Sequence, residues 1–440
     1  MMELYIKKGD IAFKKKERHW KEWSILLICL FIAFCLRFGE LRRVMGGPLD
    51  PDVSSFITLA NKMKPFSETG FYSARFGLRE PLYLLVAKVF FLLPGPDDLN
   101  IRFVSFVFSL LVIFLTYLLV RNWLGKGIGL LAAFFLTFHT YCIEASARGL
   151  RCEFLTFLFL LFIYLTLINE KMHPLQRITG AGIMSGLLFL TRTEFLFPTV
   201  LFFILLPLIE RKKWNFLSAL LAIIIGILIF LPHLMGMYRV HGDIFYTSNL
   251  GARFYTNLEF AGQPGFPSKE EIEQKGMFTG PKVTPFDYFF RFHTLPELFW
   301  GTAWGLAKVY IYLAIRYIPT KTWNTVKEQA LTTWARIRFI LFNHPFRSLL
   351  SILIGIGLLG GLFGLWTTTH RSLYFILVIF QIQTAFLFFI GLETQVVTHT
   401  WPVALWVAAY FFTTFAGLLF KRSYPELPGI KFRAMQKGVR

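Results

Sequence analysis

Residues 23–38 read WSILLICLFIAFCLRF, an apolar run of membrane-crossing character, and residues 49–56, LDPDVSSF, follow just past its outer mouth. The residues ahead of the run include Lys7, Lys8, Lys14, Lys15, Lys16 and Arg18. They are too polar for a cleavable signal, and no small-residue cleavage site follows the run, so 1–22 reads as a cytoplasmic basic leader to an uncleaved first span. Further runs lie near 101–120, 127–145, 152–169, 178–195, 197–210, 215–235, 349–367, 372–392 and 400–420. The expected architecture is an all-α polytopic membrane protein of about ten spans. It divides into an N-terminal transmembrane catalytic module at 23–235 that includes the first outer loop 39–100, an outer loop with amphipathic helices at 236–348, C-terminal spans at 349–420, and a cytoplasmic basic tail at 421–440.

Composition supports this class. The 440 residues are 55% hydrophobic and 18% aromatic, with 52 Phe, and a soluble fold could not bury that much apolar surface. A net charge of +20 would suggest nucleic acid in a soluble chain, but here the basic residues punctuate apolar spans, so no nucleic-acid partner is expected. Threading the spans alternately puts Arg121, Lys126, Lys171, Arg177, Arg211, Lys212, Lys213, Arg371 and the tail on the side of the N-terminus. Both termini are then cytoplasmic. The opposite face receives 39–100, 146–151, 192–196, 236–348 and 393–399. Within it, 80–93 reads as an interfacial helix with Lys88 in the middle, 295–318 as an aromatic helix that either lies flat or crosses, and 321–342 as a flat amphipathic segment. The Gly- and Pro-rich stretch 257–285 reads as a candidate gating loop. Four Cys are too few for a disulfide framework; Cys142 and Cys152 flank one outer loop and could pair in an oxidising compartment.

The outer face also holds the candidate chemistry. Pro51 keeps Asp50 extended, which makes Asp50 a natural helix cap, while Asp52 is expected to accept N–H bonds from a helix beginning at Val53 and still serve as a base. Arg75 and Arg79, Arg148 and Arg151 beside Glu153, and Arg192 beside Glu194 collect at outer span ends. Guanidinium groups there suit a lipid phosphate, although a lone Arg at a helix end more often snorkels to headgroups. His139 and His399 are the histidines placed for a site. No metal-ligand spacing occurs; a divalent cation held by Asp52, Glu153 and a histidine is compatible with the pattern but not called for by it. No Gly-rich phosphate loop occurs, which argues against a soluble nucleotide donor.

The order Asp52-Val53-Ser54-Ser55-Phe56, Arg79-Glu80-Pro81-Leu82-Tyr83, Arg102-Phe103-Val104-Ser105, Ala147-Arg148 with Glu153, and Leu190-Thr191-Arg192-Thr193-Glu194 resembles the GT-C membrane glycosyltransferases, nearest to the protein O-mannosyltransferase and aminoarabinose-transferase branch. The resemblance implies a polyprenyl-phosphate sugar donor, a lipid, glycan or protein acceptor, and no second cofactor. It implies Asp52 as base and Glu153 as a second acidic residue, with Arg148, Arg151 and Arg192 on the donor phosphate. Val53, Glu80-Pro81, Glu153 and His399-Thr400-Trp401-Pro402 depart from the family pattern. Rival readings are a flippase of lipid-linked glycans or a non-catalytic subunit of a glycan-assembly complex. Against a transporter, the spans 349–367, 372–392 and 400–420 carry no charged residue, Gln381 and Gln383 being their most polar groups.

Overall fold

The computed structural model describes residues 2–63, 79–169, 172–276, 279–319, 322, 325, 333–366, 375–380 and 398–423, and it is helical throughout, with no strand among those residues. Helices α1 (Met2–Val44), α2 (Pro51–Lys62), α3 (Pro81–Phe90), α4 (Asp97–Trp123), α5 (Lys126–Phe138), α6 (Thr140–Ala145), α7 (Cys152–Ile163), α8 (Pro174–Thr191), α9 (Leu196–Ile209) and α10 (Phe216–His241) build the first part of the bundle. Then come α11 (Tyr246–Glu259), α12 (Lys269–Lys275), α13 (Pro285–Phe290) and α14 (Leu295–Ile315), followed by helices at Thr333–Asn343, Pro345–Trp366 and Trp401–Ser423. Five described helices are long and apolar enough to cross a membrane: Trp20–Val44, Asp97–Trp123, Phe216–His241, Leu295–Ile315 and Pro345–Leu362. Large apolar side chains point outward from them, among them Phe31, Leu217, Leu228, Phe299 and Trp304. That surface suits lipid rather than water.

The basic leader and the first span form one continuous helix. Glu22, at the expected boundary, is buried and receives the Tyr117 hydroxyl, Arg121 Nε at 2.6 Å and Lys126 Nζ. These bonds clamp α1, α4 and α5 together, so Arg121 and Lys126 do more than mark a side of the membrane. At the same kind of helix end, Lys213 Nζ and Trp214 Nε1 donate to the Leu167 and Thr166 carbonyls at 2.9 Å each, where α7 finishes in a π turn over Tyr164–Ile168.

Small residues let α8 and α10 approach closely. A Cβ on Gly186 would lie 2.6 Å from the Ile229 Cβ and 3.0 Å from the Gly226 oxygen, and one on Gly182 would lie 2.8 Å from the Ala222 oxygen. This is a small-xxx-small contact, in which packing rather than water exclusion holds helices together. Gly186→Ala is therefore expected to cost about 1–3 kcal/mol, read as a lower thermal midpoint in detergent. Gly180→Ala, whose Cβ would meet only the Leu165 side chain, at 3.3 Å or more, serves as the tolerated control.

The expected span 127–145 is broken. His139 adopts an extended conformation between α5 and α6, accepts the Cys142 N–H on Nδ1 at 3.4 Å, and donates from Nε2 to the Leu313 carbonyl at 3.1 Å. The carbonyls of Leu136 and Thr137, left without helical partners by the break, are taken by Arg37 at 3.2 and 3.3 Å. An orphaned carbonyl in a bundle interior needs such a donor.

The outer-loop expectations fare unevenly. Helix α3 is short, as 80–93 suggested, and docks on the bundle through Tyr83, Leu84 and Ala87; Lys88 donates to the Ala60 carbonyl at 3.3 Å and to that of Met63, closing the end of α2. The stretch 257–285, read as a gating loop, is organised in its described residues. Ser268 with Glu271 and Thr284 with Asp287 form capping boxes, Thr294 with Glu297 adds another at α14, and His293 bridges Glu259 and the Tyr288 carbonyl. No disulfide joins Cys142 and Cys152, which are both buried. Arg75, Lys171, Trp323, Lys327, Arg371, Gln381, Gln383 and 424–440, together with most of 372–392 and 393–399, lie outside the described residues.

Candidate active site

The Asp50-Pro51-Asp52 step is built differently from expectation. Helix α2 begins at Pro51, whose missing N–H costs nothing at a first helical position, and Asp50 caps it by accepting the Asp52 N–H at 3.0 Å. The cap expected of Asp50 is thus in place, while Asp52 lies in the first turn rather than ahead of it. The Asp52 carboxylate is left for another partner and pairs with Arg79, whose guanidinium lies 5.2 Å from the centre of the Phe56 ring.

Glu80, noted in the sequence only as a departure from the family pattern, is the hub of the site. It is 3% exposed, forms an ion pair with Arg151, and accepts the Thr193 N–H at 2.8 Å. Arg151 also donates to the Thr191 carbonyl at 3.0 Å. One buried pair therefore joins the start of α3, the turn at 146–151 and the turn at 192–195. Burial alone would raise the Glu80 pKa, but the Arg151 charge and the Thr193 N–H outweigh it and hold the carboxyl well below its ordinary range. Around this hub, Tyr83 donates to the Gly149 carbonyl at 2.7 Å, Ser105 to that of Leu150 at 2.8 Å and Arg102 to that of Ala147 at 2.9 Å. Gly149 has φ +81°, and a Cβ there would press on Val53 and Ile101 at 3.2 Å, so only glycine fits this turn against α2 and α4.

The remaining candidates separate into groups. Arg192 Nε meets Glu194 at 3.2 Å beside the hub. Arg148 turns away from Arg151, toward Glu144 at 3.6 Å and the Tyr141 ring at 5.4 Å, where Arg316 also lies at 5.6 Å. Arg151, expected on the donor phosphate, pairs through Nη1 with Glu80 and the Thr191 carbonyl. Glu153 is 5% exposed on the first turn of α7; among the described residues it makes no ion pair, and the charge that acts on it is that of Arg37. His139, expected at the site, has both ring nitrogens engaged in the helix break. His399 packs against Phe159 and Phe195, with ring centres 5.3 and 4.7 Å away. Among the described residues no group of three His, Cys, Asp or Glu gathers at metal-binding spacing.

Sequence reasoning missed two residues, Glu80 as a hub and Arg37 altogether. Each carried a signal, because an ionisable residue inside or against an apolar run is costly and requires a partner.

Residues 79–235 match the family model of dolichyl-phosphate-mannose-protein mannosyltransferases. The match begins at Arg79 and takes in Glu80, Arg148, Arg151, Glu153 and Arg192, while Asp52 lies ahead of it. In structure the chain resembles the oligosaccharyltransferase AglB of Archaeoglobus fulgidus, in complex with an inhibitory peptide and a dolichol-phosphate, at a TM-score of 0.53 and 15% identity. That alignment covers 94% of this chain and 52% of AglB, so the chain spans about half the length of that protein. ArnT of Cupriavidus metallidurans bound to undecaprenyl phosphate aligns over 92% of this chain and 81% of its own, at a TM-score of 0.45 and 13% identity. No curated protein matches the chain in sequence. The fold is GT-C-like, and the resemblance read from the sequence is borne out by the family match and by the fold.

Proposed function

We propose that the chain is an integral membrane glycosyltransferase that moves a sugar from a polyprenyl-phosphate donor to a lipid, glycan or protein acceptor. The observation that carries the reading is Asp52, a carboxylate relieved of capping by Asp50, 37% exposed, and facing a guanidinium rather than the apolar core. A polyprenyl-phosphate sugar already has an activated anomeric carbon, so the protein's own tasks are few. Asp52 accepts the proton of an acceptor hydroxyl or amine as the acceptor attacks that carbon. The bond from that carbon to the phosphate oxygen breaks, the oxygen keeps the electron pair, and the leaving phosphate is neutralised by cations drawn from Arg79, Arg192 and Arg148. Direct displacement inverts the anomeric centre. The chemistry calls for no second cofactor and takes place on the extracytoplasmic face of the cell (inner) membrane, with both termini cytoplasmic. Support for the donor class comes from the family match over 79–235.

Incubating the purified protein with a panel of radiolabelled polyprenyl-phosphate hexoses and pentoses tests this. One donor is expected to release its lipid phosphate in an acceptor-dependent manner, and no release from any donor by folded protein would contradict the reading. A transporter of lipid-linked glycans is favoured by a single observation, the ionisable pair Arg37 and Glu153 inside the bundle. Glycan crossing in proteoliposomes without bond cleavage would select that alternative.

A further inference from the structure

Asp52 and Arg79 are each anchored before they meet. Asp52 rides on the first turn of α2, fixed by the Asp50 cap and by buried Val53 and Phe56. Arg79 precedes Glu80, which the Arg151 pair and the Thr193 N–H hold in place. The two side chains remain partly solvated, at 37% and 25% exposure, so a solute can reach the pair. The bond runs from Arg79 Nη2 to Asp52 Oδ1 and uses one of the five N–H groups of a planar guanidinium. The phosphodiester of a polyprenyl-phosphate sugar, like the monoester left after transfer, competes for such a fork with charge-assisted bonds of the same kind.

We infer that Arg79 is shared between the base and the donor. The carrier phosphate takes over the guanidinium and releases the Asp52 carboxylate, so the base is free to accept the acceptor's proton only after the donor has bound. This rests on the glycosyltransferase reading above and adds an order of binding to it, donor before acceptor.

The test is a binding cycle with undecaprenyl phosphate on the full chain in nanodiscs, comparing wild type, Asp52→Asn, Arg79→Gln and the double variant, with thermal unfolding confirming that each is folded. A shared guanidinium predicts that Asp52→Asn tightens binding roughly two- to fivefold, the scale of a partly exposed ion pair. Arg79→Gln weakens binding, and Asp52→Asn adds nothing in the Arg79→Gln background. Arg79→Lys retains part of the Asp52 effect, since it keeps the charge but not the fork. Equal tightening in both backgrounds is simple relief of repulsion and overturns the sharing, as does no tightening in either. Failure of folded wild-type protein to bind the lipid phosphate removes the donor reading, and this inference with it.

Discussion

Glu80→Ala is expected to destabilise the protein by about 3–5 kcal/mol, because it strands the Arg151 guanidinium in a buried site without a counter-charge. The Glu80 and Arg151 side chains are only 2% and 15% exposed, so water does little to compensate. The loss should appear as a lower thermal midpoint in detergent and as faster proteolysis at the turns near Gly149 and Thr193. Glu80→Gln should lose less, since an amide oxygen still accepts the Thr193 N–H. Arg151→Ala should resemble Glu80→Ala, and the apolar pair Glu80→Leu with Arg151→Met should recover part of the loss. The depressed Glu80 pKa fixes the sign of the pH effect. Its stabilisation is complete above the ordinary carboxylate range and is lost as the pH falls through the lower folded value. An Arg151→Ala protein of unchanged midpoint but reduced donor affinity would return Arg151 to the donor phosphate and contradict the clamp.

Asp52→Asn is expected to reduce sugar transfer by roughly 10²- to 10⁴-fold, the usual contribution of a general base. Stability should hardly change, because the cap belongs to Asp50 and the amide remains small and polar. Asp50→Ala should behave in the opposite way, losing about 1 kcal/mol of helix stability while transfer persists. Rates and unfolding midpoints measured on the same preparations separate the two aspartates. Loss of transfer in Asp50→Ala with retention in Asp52→Asn would exchange their roles.

Much of this was legible in the sequence, and the parts that were not have physical reasons. Apolar runs located helices because lipid-facing and core-facing residues are alike apolar in such a bundle, so length alone marks the element. The break at His139 was passed over, since Thr137, His139, Thr140 and Glu144 are scattered among apolar residues and lower the hydropathy of the run only locally. Arg37, which satisfies the broken end of α5, was the visible trace of it. The short helices of the 257–285 stretch were missed because its Gly and Pro content was weighed above Ser268-x-x-Glu271 and Thr284-x-x-Asp287, which are readable capping boxes. The aspartates were found and Asp50 caps the helix as expected, but Pro51 starts the helix two residues early and puts Asp52 in its first turn. Arg148 and Arg151 lie one turn apart in sequence yet serve different partners, because the positive φ of Gly149 redirects the chain between them. Only tertiary structure could reveal that Glu80 claims Arg151.

The most direct measurement is single-turnover release of lipid phosphate from a radiolabelled polyprenyl-phosphate sugar, comparing wild type with Asp52→Asn at saturating donor. Wild type is expected to show acceptor-dependent release, and Asp52→Asn to bind the donor at least as tightly while release is slowed by roughly 10²-fold or more. Equal release rates from the two proteins would contradict Asp52 as the base and the site built around it.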